Sequence, residues 1–406
     1  MDARRVAELA ARNSYGRLVA YLAVRSQDIA TVEDALGDAF LKALSSWPQR
    51  GVPDNPEAWL LVTARRRLID MARRSQTHAK ALNILNLSGV DSAENLEEIS
   101  FPDERLKLLF ICAHPAINVN IRTPLMLQTV MGLNAAQIGS AFLVAPTTMG
   151  QRLVRAKAKI RDAGIPFGLP QTQALPDRLD AVLAAIYAAY TTGWDTVLGG
   201  DPSHKGLADE AIWLAQLCGQ LLPAEPEARG LLALMLYCAA RRGARRSTTG
   251  DYVPLSEQDT DLWSQSMIQR AERELHQASI YGRLGRFQLE AAIQSVHAQR
   301  ASTQHTDWET LAQLYSGLIQ LVDTIGARLG HAVAIAQTQG AQTGLDLLDA
   351  MDIKTVQKHQ PYWALRAHLL AQLDEQPAAR QAYAMAIGLT EDPAIRKFLM
   401  AKAQSL

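Results

Sequence analysis

The chain has 406 residues, enough for two or three domains, and 48% of them are hydrophobic against only 6% aromatic. No apolar run approaches the roughly 20 residues that span a bilayer. The charged N-terminus MDARRVAELAAR lacks the apolar core of a signal peptide, and Cys112, Cys218 and Cys238 form neither a CxxC pair nor a disulfide framework, so a cytoplasmic protein is expected. The formal net charge of zero hides an asymmetry: residues 1–170 carry 21 Lys and Arg against 16 Asp and Glu, and the remainder carries 20 against 25. A basic front and an acidic rear place any contact with a polyanion in the front.

Alanine and leucine dominate, and period-two runs of Val, Ile and Thr are scarce, which predicts an all-α fold. Residues 1–75 read as helices broken at Asp28 and around Trp47 to Pro56. Beyond the second break, a helix starting near Asn55–Pro56 would turn Trp59, Leu60, Ala64, Leu68 and Met71 inward. Its outside would be strongly basic, with Arg65, Arg66, Arg67, Arg73 and Arg74 relieved by Asp70. Such a helix can lie along a DNA backbone while the irregular 46–56 loop holds an unstacked base, although an ordinary surface helix shows the same pattern. Residues 76–102 have no sustained apolar period and include Asp91, Glu94, Glu97 and Glu98, which predicts a flexible acidic linker.

Residues 103–170 are helical again and end in the proline-rich IPFGLPQTQALP tract. Asn134 with Gln137 three residues on has the form of a capping box, and Ile138, Phe142 and Leu143 supply one apolar face. The chain turns at Val144–Ala145, and Pro146 suits the first turn of a second helix. Along that helix Met149, Leu153 and Ile160 point inward, with Val154 and Ala156 beside them. Thr147, Thr148 and Gln151 lie at its N-terminal end, where a recognition helix presents short polar groups to base edges, while Arg152, Arg155, Lys157, Lys159 and Arg161 suit phosphates. This is the pattern of a DNA-binding helix-turn-helix.

From residue 171 to 406 the chain reads as a helical array. The segments 340–351 and 375–386 resemble each other at a spacing of 35 residues, and 211–242 has a related texture. A period near 34 is that of tetratricopeptide (TPR) helical hairpins; a plain helical domain without repeats is the alternative. The rear tryptophans Trp194, Trp213, Trp263, Trp308 and Trp363 stand at helix-packing positions. No HExxH, GxSxG, Walker or GxGxxG motif is present, and the histidines are scattered; His114, before Pro115, reads as a cap or packing residue. No catalytic constellation, metal site or cofactor is therefore expected.

The combination resembles the extracytoplasmic-function (ECF) sigma factors of bacterial RNA polymerase. TVEDALGDAFLKAL (31–44) looks like the segment that docks on the β′ clamp helices, which implies polymerase contacts at Glu33, Asp34, Asp38, Leu41 and Lys42. RGVPDNPEAWLLVTARRRLIDMARR (50–74) is similar to the segments that melt and read the −10 element, which implies DNA contacts at Arg50, Asp54, Asn55, Thr63, Arg65, Arg66, Arg67, Arg73 and Arg74. Residues 103–163 look like the region that reads the −35 element and touches the β flap, through Thr147, Thr148, Gln151, Arg152, Arg155, Lys157 and Lys159. The tracts HPAI (114–117), AFLVAPTTMGQRLVRAKAKIRDAGIPF (141–167), LPDRLDAVLAAIY (175–187) and TDWETLAQLY (306–315) resemble the subgroup with a long TPR-like C-terminal extension. The resemblance thus implies two small sigma domains, 1–75 and 103–170, a linker, and an extension at 171–406 that regulates activity or binds a regulatory protein. Gly37 stands where that family usually has Gln, and Gly139 and Gly150 where it usually has Ala, which implies weakened promoter binding. Two rivals remain: a stand-alone helix-turn-helix regulator with a sensing rear half, and a TPR scaffold without DNA affinity.

Overall fold

The computed structural model describes residues 3–74, 103–142, 144–170, 174–194 and 207–406. The fold is all-α; among the described residues the only β feature is an isolated bridge between Arg246 and Tyr252. The expected linker at 76–102 and the side chains of Arg74, Leu143 and Trp194 lie outside the description.

The chain divides into two compact units, residues 1–214 and 215–406. In the first, α1 (Ala3–Ser26) is followed by α2 (Ile29–Arg50), and the break at Asp28 falls where the sequence puts it. The Asp28 carboxylate accepts the Thr31 amide at 3.2 Å, satisfying a free donor of the first turn. The second break is shorter than expected. Helix α2 continues through Trp47 and Pro48 to Arg50 and ends at Gly51, whose φ of +86° no residue with a side chain adopts readily. Helix α3 (Pro56–Arg74) starts under a cap from Asn55, whose Oδ1 accepts the Ala58 amide at 2.9 Å. Trp47 meets Trp59 edge to face at 5.4 Å, which fixes the angle at which α3 leaves the loop. Leu60, Ala64 and Leu68 are buried, as the apolar spacing requires.

Helices α4 (Arg105–Cys112), α5 (Val119–Thr129), α6 (Ala135–Ala141) and α7 (Pro146–Asp162) follow, then α8 (Leu175–Trp194) and α9 (Leu207–Leu221). Helix α8, expected to open the C-terminal array, instead packs on α5 and α4, with Arg178 reaching the Phe110 carbonyl at 3.5 Å. The division between the units falls inside α9, well past residue 171. Trp213 on α9 is only partly covered, and the Arg105 guanidinium stacks 4.5 Å from its ring.

The second unit comprises α10 (Pro226–Ala240), a connector at 241–264, α11 (Gln265–Ser279), α12 (Arg286–Thr303), α13 (Trp308–Leu321), α14 (Ile325–Gln339), α15 (Ala341–Asp349), α16 (Ile353–Val356), α17 (Gln360–Gln372), α18 (Gln376–Leu389) and α19 (Pro393–Gln404). Helices α14 and α15 pack as one hairpin and α17 and α18 as the next, with first residues Ile325 and Gln360, and Ala341 and Gln376, each 35 positions apart. Gly344 allows close contact inside the first hairpin: a Cβ there would lie 2.6 Å from that of Ala336. The connector crosses to the last helix, where Arg246 pairs with Asp392, Lys397 with Asp251 at 2.6 Å, and Tyr252 packs on Phe398. Trp263 is buried within this unit under the Arg300 guanidinium.

Candidate nucleic-acid interface

Two helices joined by a short turn carry the first set of expected contacts. At the start of α6 the capping box forms as the sequence predicts: Asn134 Oδ1 accepts the Ala136 and Gln137 amides, and Gln137 Oε1 accepts the Asn134 amide at 2.9 Å. Ile138 is fully buried, but Phe142, expected beside it, is 38% exposed. The turn brings the Val144 amide to the Gly139 carbonyl at 2.8 Å, and Pro146 opens α7 as its first residue. Gly139 is required here: a Cβ would stand 2.6 Å from the Val144 oxygen. Gly150, by contrast, has room for one.

Met149, Leu153, Ala156 and Ile160 face inward along α7, whereas Val154, expected beside them, is 63% exposed. Thr147, Thr148, Gln151, Arg152, Arg155 and Lys159 share the exposed surface. The last three form no ion pair among the described residues, so their charge is available to an anion. They wall an open cleft of about 480 Å³ against Ile117, Asn118 and Asn120. The 114–121 turn opposite them is rigidly built. His114 Nδ1 accepts the Ala116 amide at 3.1 Å, Asn118 caps α5, and Arg122 donates to the Ile117 carbonyl at 3.0 Å. Burial, reinforced by Arg178 and Arg122, holds the His114 pKa below its usual value, so the imidazole is neutral and able to accept. The polar pair Asn118 and Asn120 was missed in the sequence because nothing local links it to a helix about 35 residues further on.

Lys157 departs from its expected place. It lies on the buried side of α7, 8% exposed, paired with Glu33 of α2. Its spacing was legible: Leu153, Lys157 and Ile160 are i, i+4 and i+7 on one face. Arg161, also counted among the phosphate-facing cations, is exposed but engaged with Asp162 at 2.9 Å.

The second set of expected contacts lies on α3 and is more divided. Arg50, Arg66 and Arg73 are exposed, Thr63 is half-buried, and Arg67 bridges to Asp38 at 2.5 Å. Arg65, placed on the basic outside by the sequence, is buried at 8% exposure, because the Leu61–Leu68 face on which it lies is the one that packs. Asp54 and Asn55 line a separate cleft of about 460 Å³ with Val6, Leu9, Ser14 and Glu57. Of the residues expected to meet polymerase, Asp34, Asp38, Leu41 and Lys42 are exposed on α2; Leu41 is 66% exposed and Leu44 43%. Glu33 alone is turned into the molecule.

Among the described residues, no three His, Cys, Asp or Glu side chains are grouped to hold a metal ion, and no helix is long and apolar enough to cross a membrane.

Residues 12–78 match sigma-70 region 2, and residues 178–279 match a family of unknown function, DUF6596. A protein of Rhizobium meliloti (strain 1021), Uncharacterized protein R00370, is 36% identical over 379 residues, which is 92% of this chain and 88% of that protein. No solved structure matches. The region 2 match covers α2, the 51–55 loop and α3, the elements that carry the second cleft and the exposed α2 surface. The chain belongs to one family with the Rhizobium meliloti protein, and its residues 12–78 are similar to sigma-70 region 2. The region 2 match supports a role in transcription initiation, with core RNA polymerase and promoter DNA as partners.

Proposed function

We propose that the chain is a cytoplasmic ECF-type sigma factor with two DNA-reading modules and a TPR-like regulatory extension. The observation that carries this reading is the presence, in one chain with sigma-70 region 2, of a capped two-helix unit whose second helix exposes Thr147, Thr148, Gln151, Arg152, Arg155 and Lys159 on one surface.

Helix α2 docks on the polymerase clamp through Asp34, Asp38, Leu41 and Lys42, and the exposed Leu41 and Leu44 offer the apolar part of that contact. Arg50, Arg66 and Arg73 follow the −10 phosphates, and the Asp54–Asn55 cleft takes an unpaired base, whose Watson–Crick edge would meet a carboxylate and an amide there. Helix α7 enters a major groove at the −35 element, with Thr147, Thr148 and Gln151 toward bases and Arg152, Arg155 and Lys159 toward phosphates. The hairpins of the second unit, in the 35-residue register described above, present a surface for a regulatory protein. No cofactor enters these steps, because binding energy opens the strands and polymerase performs the chemistry.

Transcription in vitro with purified core polymerase, on promoters flanking the chain's own operon, tests the reading. Initiation that depends on the added protein is expected. DNA binding in its absence, to a palindromic duplex and without initiation, would favour the stand-alone regulator.

A further inference from the structure

The cleft beside α7 holds more chemistry than a row of DNA phosphates uses. Thr147, Thr148 and Gln151, the side chains assigned to bases, are not part of its lining. One wall is made by Arg152, Arg155 and Lys159, which stand at i, i+3 and i+7 and so share a face of the helix. No Asp or Glu lines the cleft, and none of the three cations is ion-paired among the described residues. Three positive charges in a concave, partly apolar wall focus their field on the space in front of them.

The rest of the lining is different in kind. Ile117, Ile121 and Ala156 are buried and supply an apolar floor. Asn118 and Asn120 are both exposed on the opposite wall. Asn118 Oδ1 accepts the Asn120 backbone amide at 2.9 Å, which leaves the Asn118 amide group to donate, and the Asn120 carboxamide offers both a donor and an acceptor. A sugar-phosphate strand running along α7 needs the cations, but neither the apolar floor nor the carboxamides. A nucleobase uses both, with its face on apolar side chains and its edge on hydrogen-bonding groups. The cleft volume of about 480 Å³ lies in the range of small-molecule sites, and the bonds made by His114 and Arg122 hold the 114–121 turn ready-formed.

We propose that this cleft binds a nucleoside polyphosphate, which competes with upstream DNA for Arg152, Arg155 and Lys159. The phosphates lie along the three cations, and the base lies over Ile117 and Ile121 with its edge toward Asn118 and Asn120. For its effect on promoters the proposal rests on the DNA-reading role of α7; the binding itself does not. One set of three cations cannot neutralise two polyanions at once, so nucleotide and duplex exclude each other. A rising nucleotide pool then loosens the upstream contact and favours promoters that depend on it least.

Isothermal titration of the full chain with ATP, inorganic triphosphate and adenosine, in magnesium-free buffer near physiological ionic strength, separates the parts of the cleft. ATP is expected to bind at one site, with inorganic triphosphate about fivefold weaker and adenosine weakest. R155A, at an exposed position, should weaken ATP by about tenfold, the loss of one charge-assisted contact. N120L, also at an exposed position, should weaken ATP by about fivefold and inorganic triphosphate by less than about twofold. With ATP at about ten times its dissociation constant, the apparent affinity for a labelled −35 duplex should fall by about tenfold. Absence of ATP binding, or ATP binding that both variants keep, overturns the site. Equal affinities for ATP and inorganic triphosphate overturn the nucleoside part, and undiminished duplex affinity under saturating ATP overturns the competition. A chain that binds ATP with the expected variant losses, yet binds no duplex, overturns the DNA reading of α7 and supports the cleft as a nucleotide site.

Discussion

Helices α3 and α7 carry similar rows of basic residues, yet the structure uses them differently. On α7, Arg152, Arg155 and Lys159 project from one surface without internal partners among the described residues, and only Lys157 is drawn inward. On α3, Arg65 is buried and Arg67 is held by Asp38, which leaves Arg66 and Arg73 exposed. A count of cations along a helix therefore overstates its capacity for phosphate. The orientation of each residue on the helix decides which cations are left for an external anion and which serve the fold.

The largest test of this difference removes the exposed row of α7. Replacing Arg152, Arg155 and Lys159 together by Ala should lower DNA affinity by about two to three orders of magnitude and reduce the slope of log K against log salt by roughly 2.7. Titration of a labelled promoter duplex across a salt series measures both. The comparable change on α3, Arg66 and Arg73 to Ala, should reduce the slope by roughly 1.8. Arg65→Ala should instead lower the melting temperature without altering the slope. An Arg65 variant that keeps its stability and loses salt dependence would erase the distinction between the two helices.

The caps in front of the two modules give a smaller contrast. The Asn134 side chain accepts two amides while its own backbone amide donates to Gln137 Oε1, whereas Asn55 accepts one. Asn134→Ala should cost about 1–2 kcal/mol and Asn55→Ala about 0.5–1 kcal/mol, read by urea denaturation. Because Asn55 also lines the proposed base pocket, its variant should lose promoter opening beyond what the lost stability accounts for.

Much of this arrangement could be read from the residues. The all-α class, the break at Asp28, the capping box at Asn134 and the inward faces of Leu60, Leu68, Met149, Leu153 and Ile160 all follow from local rules of capping and periodicity. The exposed surface from Thr147 to Lys159 followed from the same periodicity, except for Lys157. What was illegible depends on contacts between distant segments. The burial of Arg65, the Glu33–Lys157 pair, the packing of α8 on α4 and α5, and the Asn118–Asn120 wall of the cleft have no local signature. Helix α2 runs into the break expected around Trp47 to Pro56, continuing through Pro48 to Arg50. A proline inside a helix costs a hydrogen bond, but packing of Trp47 on Trp59 holds the last turn in place.

The two glycines of the helix-turn-helix sharpen the same lesson, since from sequence they appear equivalent weaknesses. Gly139 sits under the Val144 carbonyl, so Gly139→Ala must push the turn apart and should destabilise the module by about 1–3 kcal/mol despite Ala's better helix propensity. Gly150 has no such neighbour: the nearest atom to an added Cβ is that of Ala135, 3.9 Å away. Gly150→Ala should therefore stabilise α7 by about 0.5–1 kcal/mol, the full propensity difference. The opposite signs are measurable in thermal melts of the whole chain. The same variant should bind the upstream duplex slightly better, because a stiffer α7 loses less conformational entropy on entering the groove. If both substitutions shift stability in the same direction, the close approach at the Val144 turn is not what selects Gly139.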